Sequence, residues 1–257
     1  MKRIAPMVVL AAGLWAGAGH AASLACHARS GEQVVPLVEL YTSEGCDSCP
    51  AADRWLSARF PPDAAGDAIA LAFHVDYWDR LGWKDRFASP AYTQRQQQSM
   101  RANRATFVYT PQVLLQGRDY REWRAGDPSQ RWDALRKHPA TVRIVAEAAA
   151  QDGNVVVRAE VTRAPGSRGD ALVGFAYVDS GLVTQVRAGE NRGARLVHDH
   201  VVRAFATRPL ETSAASYRIE LPRPAEAGTH PRIVVFVQDA DGGAVTQALA
   251  WPLAGCV

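Results

Sequence analysis

Two cysteines with two residues between them, Cys46 and Cys49, stand between a short apolar run and a helical pattern, and this placement constrains the chain more than any other feature. Residues 34–41 are apolar and β-branched and lead into Thr42-Ser43-Glu44-Gly45, the pattern of a strand entering a turn. Residues 51–60 carry apolar side chains at helical spacing, with Trp55, Leu56 and Phe60 inward, and Pro61-Pro62 ends them. Residues 69–75 read as a second buried strand. The order strand, Cys-x-x-Cys, helix, strand is a βαβ unit with the cysteines at the helix N-terminus. There the helix dipole and unpaired backbone N–H groups lower a thiol's pKa below its usual value of about 8.5, and the thiolate is the attacking species. Cys46 is the expected nucleophile, accessible and ionisable at the helix tip, and Cys49 the buried thiol that resolves a mixed disulfide. The same spacing also suits half a zinc site or an inert disulfide. A zinc site needs two further ligands, and the remaining cysteines lie far off at 26 and 256.

Residues 76–83 are irregular and aromatic, and Ser89-Pro90 opens a polar helix to about Asn103, so 76–104 reads as an insertion. Tyr77, Trp78 and Trp83 form either a rim facing a substrate beside the cysteines or the insertion's own core. After Thr110-Pro111 come a strand over 112–116, a Gly117-Arg118 turn, a second strand over 120–123, and a helix opened by Asp127-Pro128 that runs to about Lys137. Past a boundary at His138-Pro139 the pattern changes to short alternating runs separated by turns such as Asp152-Gly153 and Asp241-Gly242. This spacing predicts an antiparallel β-sandwich of immunoglobulin-like type over 141–257. His198 and His200 are one residue apart in the predicted strand 195–206, which puts both rings on one face. They are either half of a metal site, with His74 as a third histidine and no identifiable further ligand, or satisfied or solvated histidines, and no residue is assigned to a metal.

The N-terminus reads Met-Lys-Arg, then an apolar run from Met7 to Ala18, then small residues to Ala22. This is the order of a secretory signal over 1–22, with the mature chain beginning near Ser23 and a periplasmic or secreted destination. The run is too short for a membrane-spanning helix of about 20 residues, and no later segment is apolar for long enough, so no integral membrane segment is expected after cleavage. Export permits disulfides, and the simplest pairing joins Cys26 to Cys256 at the chain ends. The formal net charge of +3 falls to +1 when Lys2 and Arg3 leave with the signal, which argues against a nucleic-acid partner.

The order of elements, with Thr110-Pro111 opening a hairpin, resembles the thioredoxin superfamily. That resemblance implies a thioredoxin-like α/β domain over 31–138, a cis peptide bond before Pro111, and Thr110 and Pro111 facing the cysteines. More narrowly, Val-Glu-Leu-Tyr-Thr-Ser-Glu-Gly-Cys-Asp-Ser-Cys-Pro, His-Val-Asp-Tyr-Trp-Asp-Arg-Leu-Gly-Trp-Lys-Asp, Tyr-Thr-Pro-Gln and Gly-Glu-Asn-Arg-Gly are similar to the secreted family catalogued as domain of unknown function 1223. They span residues 38–193. Glu39 lies one residue beyond the position where thioredoxins keep a buried acid, so it is either a proton shuttle to Cys49 or an ordinary strand carboxylate. Gly45 replaces the tryptophan common before the first cysteine, and Asp47-Ser48 replaces Gly-Pro. Negative charge at Glu44 and Asp47 opposes thiolate formation at Cys46 and predicts a reductant or an exchanger of intermediate potential.

These readings give a thiol–disulfide exchange protein acting, without a cofactor, on thiols or disulfides of other exported proteins. The alternatives are a non-enzymatic binding protein with a structural Cys46–Cys49 bond and a copper chaperone built on soft thiolates.

Overall fold

The computed structural model describes residues 26–64, 68–126 and 128–253. The expected signal, Asp127 and Cys256 lie outside the described residues. Cys26 is disulfide-bonded, and it opens strand β1 (Cys26–Arg29).

The cysteine pair sits in the unit the sequence predicts locally. Strand β2 (Leu37–Thr42) leads through a turn into helix α1 (Cys49–Arg59), and strand β3 (Ile69–His74) returns parallel to β2. Pro50 lies in the first turn of α1, where a missing N–H leaves no hydrogen bond unmade. Because side chains alternate along a strand, Val38 and Leu40 of β2 pack on Ala52 and Leu56 of α1, while Leu37 and Tyr41 face the other way. That second face meets Tyr92 of helix α2 (Pro90–Ala102), whose N-terminus is capped by Ser89 Oγ accepting from the Ala91 N–H. Strand β4 (Gln112–Leu115) then pairs antiparallel with β2, and the two-residue strand β5 (Arg118–Asp119) pairs with β4.

The second strand expected over 120–123 does not form; Arg121–Arg124 is a turn of 3-10 helix. Tyr120 and Trp123 are both buried in one core with Trp132 of helix α3 (Ser129–Arg136). A strand would send residues three apart to opposite faces, whereas a 3-10 turn stacks them on one.

The rest of the described chain is strand: β6 (Val142–Gln151), β7 (Asn154–Arg163), β8 (Ala171–Asp179), β9 (Leu182–Gln185), β10 (Arg195–His198), β11 (Val201–Leu210), β12 (Ala214–Pro222), β13 (Arg232–Asp239) and β14 (Val245–Pro252). One sheet has the order β1-β6-β7-β12. A larger mixed sheet runs β14-β13-β8-β11-β3-β2-β4-β5, and β9 with β10 makes a separate hairpin.

This arrangement overturns the expectation of an α/β thioredoxin-like domain followed by an all-β immunoglobulin-like sandwich. The strands flanking the cysteines are one wing of a single eight-stranded sheet whose other wing comes from residues beyond 170. The join is β11 beside β3, parallel, with Val201 opposite Ala72 and the Ala72 N–H donating to the His200 carbonyl at 2.7 Å. Left open, that edge of β3 would present unpaired backbone groups. Alternation of side chains carries no information about which strand covers an edge. The near-continuous apolar run of β13 has the same origin: Ile233, Val235 and Val237 face the four-stranded sheet while Val234 and Phe236 face the layer holding Tyr92.

His198 and His200 do not share a strand face. β10 ends at His198, and His200 takes a left-handed conformation, φ 58°, before β11 begins. The buried His200 ring donates from Nε2 to the carbonyl of Phe60, 2.6 Å away, beyond the end of α1. Burial holds its pKa down to about 4 despite that hydrogen bond, so the fold takes the neutral ring. The linked stability is full above the usual histidine value of 6.5 and is lost as pH falls from there to about 4, by up to about 3 kcal/mol. His200→Asn, which tolerates the left-handed backbone, is expected to be less stable at neutral pH but to lose less on acidification across that window. Urea unfolding at pH 7 and pH 4.5 measures both; equal losses for the two proteins would refute the assignment.

Candidate functional site

Cys46 and Cys49 form a disulfide with their Cα atoms 5.4 Å apart. The backbone turns tightly: the Cys46 N–H donates to Ser43 O, and the Cys49 N–H to Cys46 O, each at 3.2 Å. Asp47 and Ser48 are exposed at the tip, and Ser48 Oγ lies 3.4 Å from Cys46 Sγ. Cys46 itself is 0% exposed, as is Cys49. The expected solvent-open sulfur at residue 46 is therefore corrected. Only Cys49 belongs to α1, and Cys46 lies under cover three residues before it.

The β9–β10 hairpin is bonded to the cysteine turn. Its tip, residues 186–194, is closed by backbone bonds between Val186 and residues 193 and 194, and it reaches over the cysteine turn. The Asn191 side-chain amide donates to the carbonyls of Glu44, at 2.9 Å, and Cys46, at 2.8 Å. The Glu190 carboxylate accepts from the Asp47 N–H at 3.1 Å. Gly189, φ 74°, lies so close to Trp83 that an added Cβ would sit 3.1 Å from that tryptophan's Cβ.

The Thr110–Pro111 bond is cis. Trp78 joins it to the cysteine turn, since its Nε1 donates to Thr110 Oγ1 at 2.7 Å and its Cβ lies 3.3 Å from where a Cβ on Gly45 would be. Gly45 thus makes room for Trp78. Beside them a cleft of about 530 Å³ is lined by Ser48, Thr110 and Pro111, with Phe107, Trp123 and two arginines on its far side. The sequence-picked Cys46, Cys49, Thr110, Pro111 and Trp78 come together here. Trp83 is adjacent, donating from Nε1 to Glu44 Oε2 at 2.8 Å, and Tyr77 packs partly buried against the layer of Tyr41 and Phe73.

Glu39 is elsewhere. It points to the face of β2 opposite α1, where its Oε2 accepts from Arg95 Nε at 2.8 Å and from the Tyr41 hydroxyl at 3.3 Å. A proton shuttle from Glu39 to Cys49 is excluded by the pleat, and Glu39 is the carboxylate of a buried ion pair.

Behind the disulfide lies a polar cluster assembled from five segments: Glu44, Asp53 of α1, His74 of β3, Asp85 and His198 of β10, all buried. His74 Nδ1 donates to Asp85 Oδ2 at 2.6 Å, and Asp85 also accepts from the N–H groups of Glu44 and Phe87, each at 2.9 Å. His198 Nε2 stands 3.3 Å from Glu44 Oε1, its Nδ1 is 4.0 Å from Asp53 Oδ2, and its ring is 5.0 Å from that of His74. Burial works against charge on His74, but the attraction and hydrogen bond of Asp85, reinforced by Asp53 and Glu44, hold its pKa above the ordinary value. Burial would raise Asp85, yet His74 and the backbone donors hold it below the ordinary carboxylate value. At Asp53 burial prevails over the attraction of His198 and His74, and its pKa is raised. Asp53 follows Cys49 by four residues on α1, so the two share the helix's buried side.

The sequence reading missed Asp53, Asp85, Glu190 and Asn191 as parts of the site. The signal for three of them, Asp85, Glu190 and Asn191, was in the blocks Gly-Trp-Lys-Asp and Gly-Glu-Asn-Arg-Gly that carry the family resemblance, where their polar side chains had no role assigned.

A family model described as "Protein of unknown function (DUF1223)" matches residues 37–238. A crystal structure of protein AGR_C_4864 from Agrobacterium tumefaciens is 27% identical, with 86% of this chain and 95% of that one covered at a TM-score of 0.59. HBP35 of Porphyromonas gingivalis shares the fold at 12% identity and a TM-score of 0.58, over 86% of this chain and 76% of that one. No curated protein matches.

Proposed function

The chain belongs to the DUF1223 family, which brings no chemistry with it, and from that premise we propose that it is an exported thiol–disulfide exchange protein acting on other exported proteins through Cys46 and Cys49. The observation that supports this reading is the cleft lined by Ser48 and the cis Pro111, since Ser48 stands between the two cysteines in the turn and its Oγ lies 3.4 Å from Cys46 Sγ. A partner thiolate attacks Cys46 Sγ, the Cys46–Cys49 bond breaks, and Cys49 leaves as a thiolate that takes up a proton. A second partner thiolate then attacks the partner sulfur of the mixed disulfide and releases Cys46. The partner's two thiols become a disulfide and the protein's disulfide becomes two thiols; the reverse sequence reduces a partner. Asp53, with its raised pKa on the same helix side as Cys49, is a suitable donor for that proton.

Complete burial of both cysteines sets a condition on this chemistry: the Asn191 strap must lift first. Two hydrogen bonds from Asn191 to backbone carbonyls and one from the Asp47 N–H to Glu190, at about 0.5–1.5 kcal/mol each, hold it down. The same burial favours a second reading, in which the bond is structural and the protein binds partners without exchange.

Reduction of the folded, oxidised protein by dithiothreitol, followed by thiol alkylation and mass measurement, separates the two. Exchange predicts reduction in the native state, accelerated about tenfold or more in Asn191→Ala. If the bond opens only in denaturant and Asn191→Ala leaves its rate unchanged, the structural reading stands.

A further inference from the structure

The far wall of the cleft carries a charge pattern that the exchange chemistry does not use. Arg121 lies over the Tyr109 ring with its guanidinium carbon 5.6 Å from the centroid, and Arg124 lies over Trp123 at 4.6 Å. Stacking fixes both guanidinium planes while leaving N–H groups free to meet an anion. Nearby carboxylates are already engaged: Asp119 accepts from Arg121 and from the Tyr109 hydroxyl, and Glu122 pairs with Arg131. Among the described residues no carboxylate pairs with Arg124, nor with the exposed Arg101, Arg104 and Arg118 around the same sheet edge.

Two further features sit on this face. Phe107 is 62% exposed, an unusual position for so large an apolar ring. Residues 107–110 lie outside every strand, and among the described residues they form no backbone–backbone hydrogen bond. The Tyr109 carbonyl accepts from the Gln96 side-chain amide at 2.8 Å, which leaves the backbone groups of Phe107, Val108 and Thr110, beside the cleft, to pair with an incoming segment.

Building on the exchange reading only in taking the bound segment as the cysteine-bearing one, we infer that this surface selects extended, acidic segments of partner proteins. The segment's backbone pairs with residues 107, 108 and 110, an apolar side chain covers Phe107, and a carboxylate meets Arg124. Basic segments are rejected by the same arginines. Of the groups available, Arg124 carries the selectivity, because Arg121 is already shared with Asp119.

The test uses the full oxidised chain and two labelled, cysteine-free peptides of ten residues, one alternating Phe and Glu, the other Phe and Lys. Fluorescence anisotropy is expected to give at least about tenfold tighter binding of the acidic peptide, a preference that shrinks as salt is raised. Arg124→Glu is expected to remove or invert it, and Arg124→Lys to keep most of it. Equal binding of the two peptides, a salt-independent preference, or an unchanged preference in Arg124→Glu overturns the inference. Loss of dithiothreitol reactivity in the parent itself would remove the exchange reading and leave the acidic-segment preference to be judged by the peptides alone.

Discussion

Replacing Cys46 by serine is expected to reduce thiol–disulfide exchange with a protein substrate by at least about three orders of magnitude, to the level seen without the protein. The magnitude follows from the chemistry: serine forms no disulfide, so neither the Cys46–Cys49 bond nor a mixed disulfide at residue 46 exists. The partner change, Cys49→Ala, has a different signature. Cys46 can still attack a partner disulfide, breaking it and releasing one partner thiolate, but nothing within the chain resolves the mixed disulfide, so oxidised partners accumulate as covalent adducts that reductant releases. Non-reducing gel electrophoresis of exported proteins mixed with each variant reads both outcomes. Adducts with Cys49→Ala and none with the doubly substituted chain support the proposal. Undiminished exchange by Cys46→Ser ends it, whatever the fate of the Cys49 variant.

The second large effect is one of stability. Asp85→Ala is expected to cost about 3–5 kcal/mol, because it strips the counter-charge from buried His74 and leaves the N–H groups of Glu44 and Phe87 without an acceptor. The pH dependence changes with it. In the parent chain Asp85 contributes above the ordinary carboxylate value and its contribution is lost as pH falls through its lowered folded value. The contribution of His74 is full below 6.5 and is lost as pH rises through its raised folded value. Without Asp85 most of both dependences should vanish. Asp85→Asn, which keeps the shape and an acceptor oxygen, should lose less. Urea titrations across the pH range measure this; a loss below about 1 kcal/mol in Asp85→Ala would mean that the pair does not hold the cysteine turn.

What could be read from the chain alone was local. The strand before the cysteines, the helix after them, the capping Ser89 and the hairpins of the second half follow from patterns a few residues long, and the resemblance drawn from Thr110-Pro111 pointed to the cis bond. What could not be read was long-range. Nothing in the alternation of residues 201–210 says that they lie beside β3, so one mixed sheet looked like two separate architectures. His198 and His200 looked like a pair because the left-handed turn at His200 has no glycine to announce it. Glu39 failed on the pleat: an even offset puts it with Tyr41, away from α1. The strap over the disulfide was out of reach for the same reason as the sheet, since Asn191 is 145 residues from Cys46. Gly45 shows the reverse case, a departure from the common pattern that the structure explains by the tryptophan packed against it.

The central claim is that the Cys46–Cys49 bond opens and closes in the folded protein. Equilibrating the native chain in a series of glutathione redox buffers at pH 7, quenching with acid and counting alkylated cysteines by mass tests it directly. The two sulfurs should titrate together and reversibly, with the circular dichroism of the fold unchanged, at a potential more reducing than that of strong periplasmic oxidants. A pair that stays bonded in every buffer able to reduce it in urea would contradict the claim.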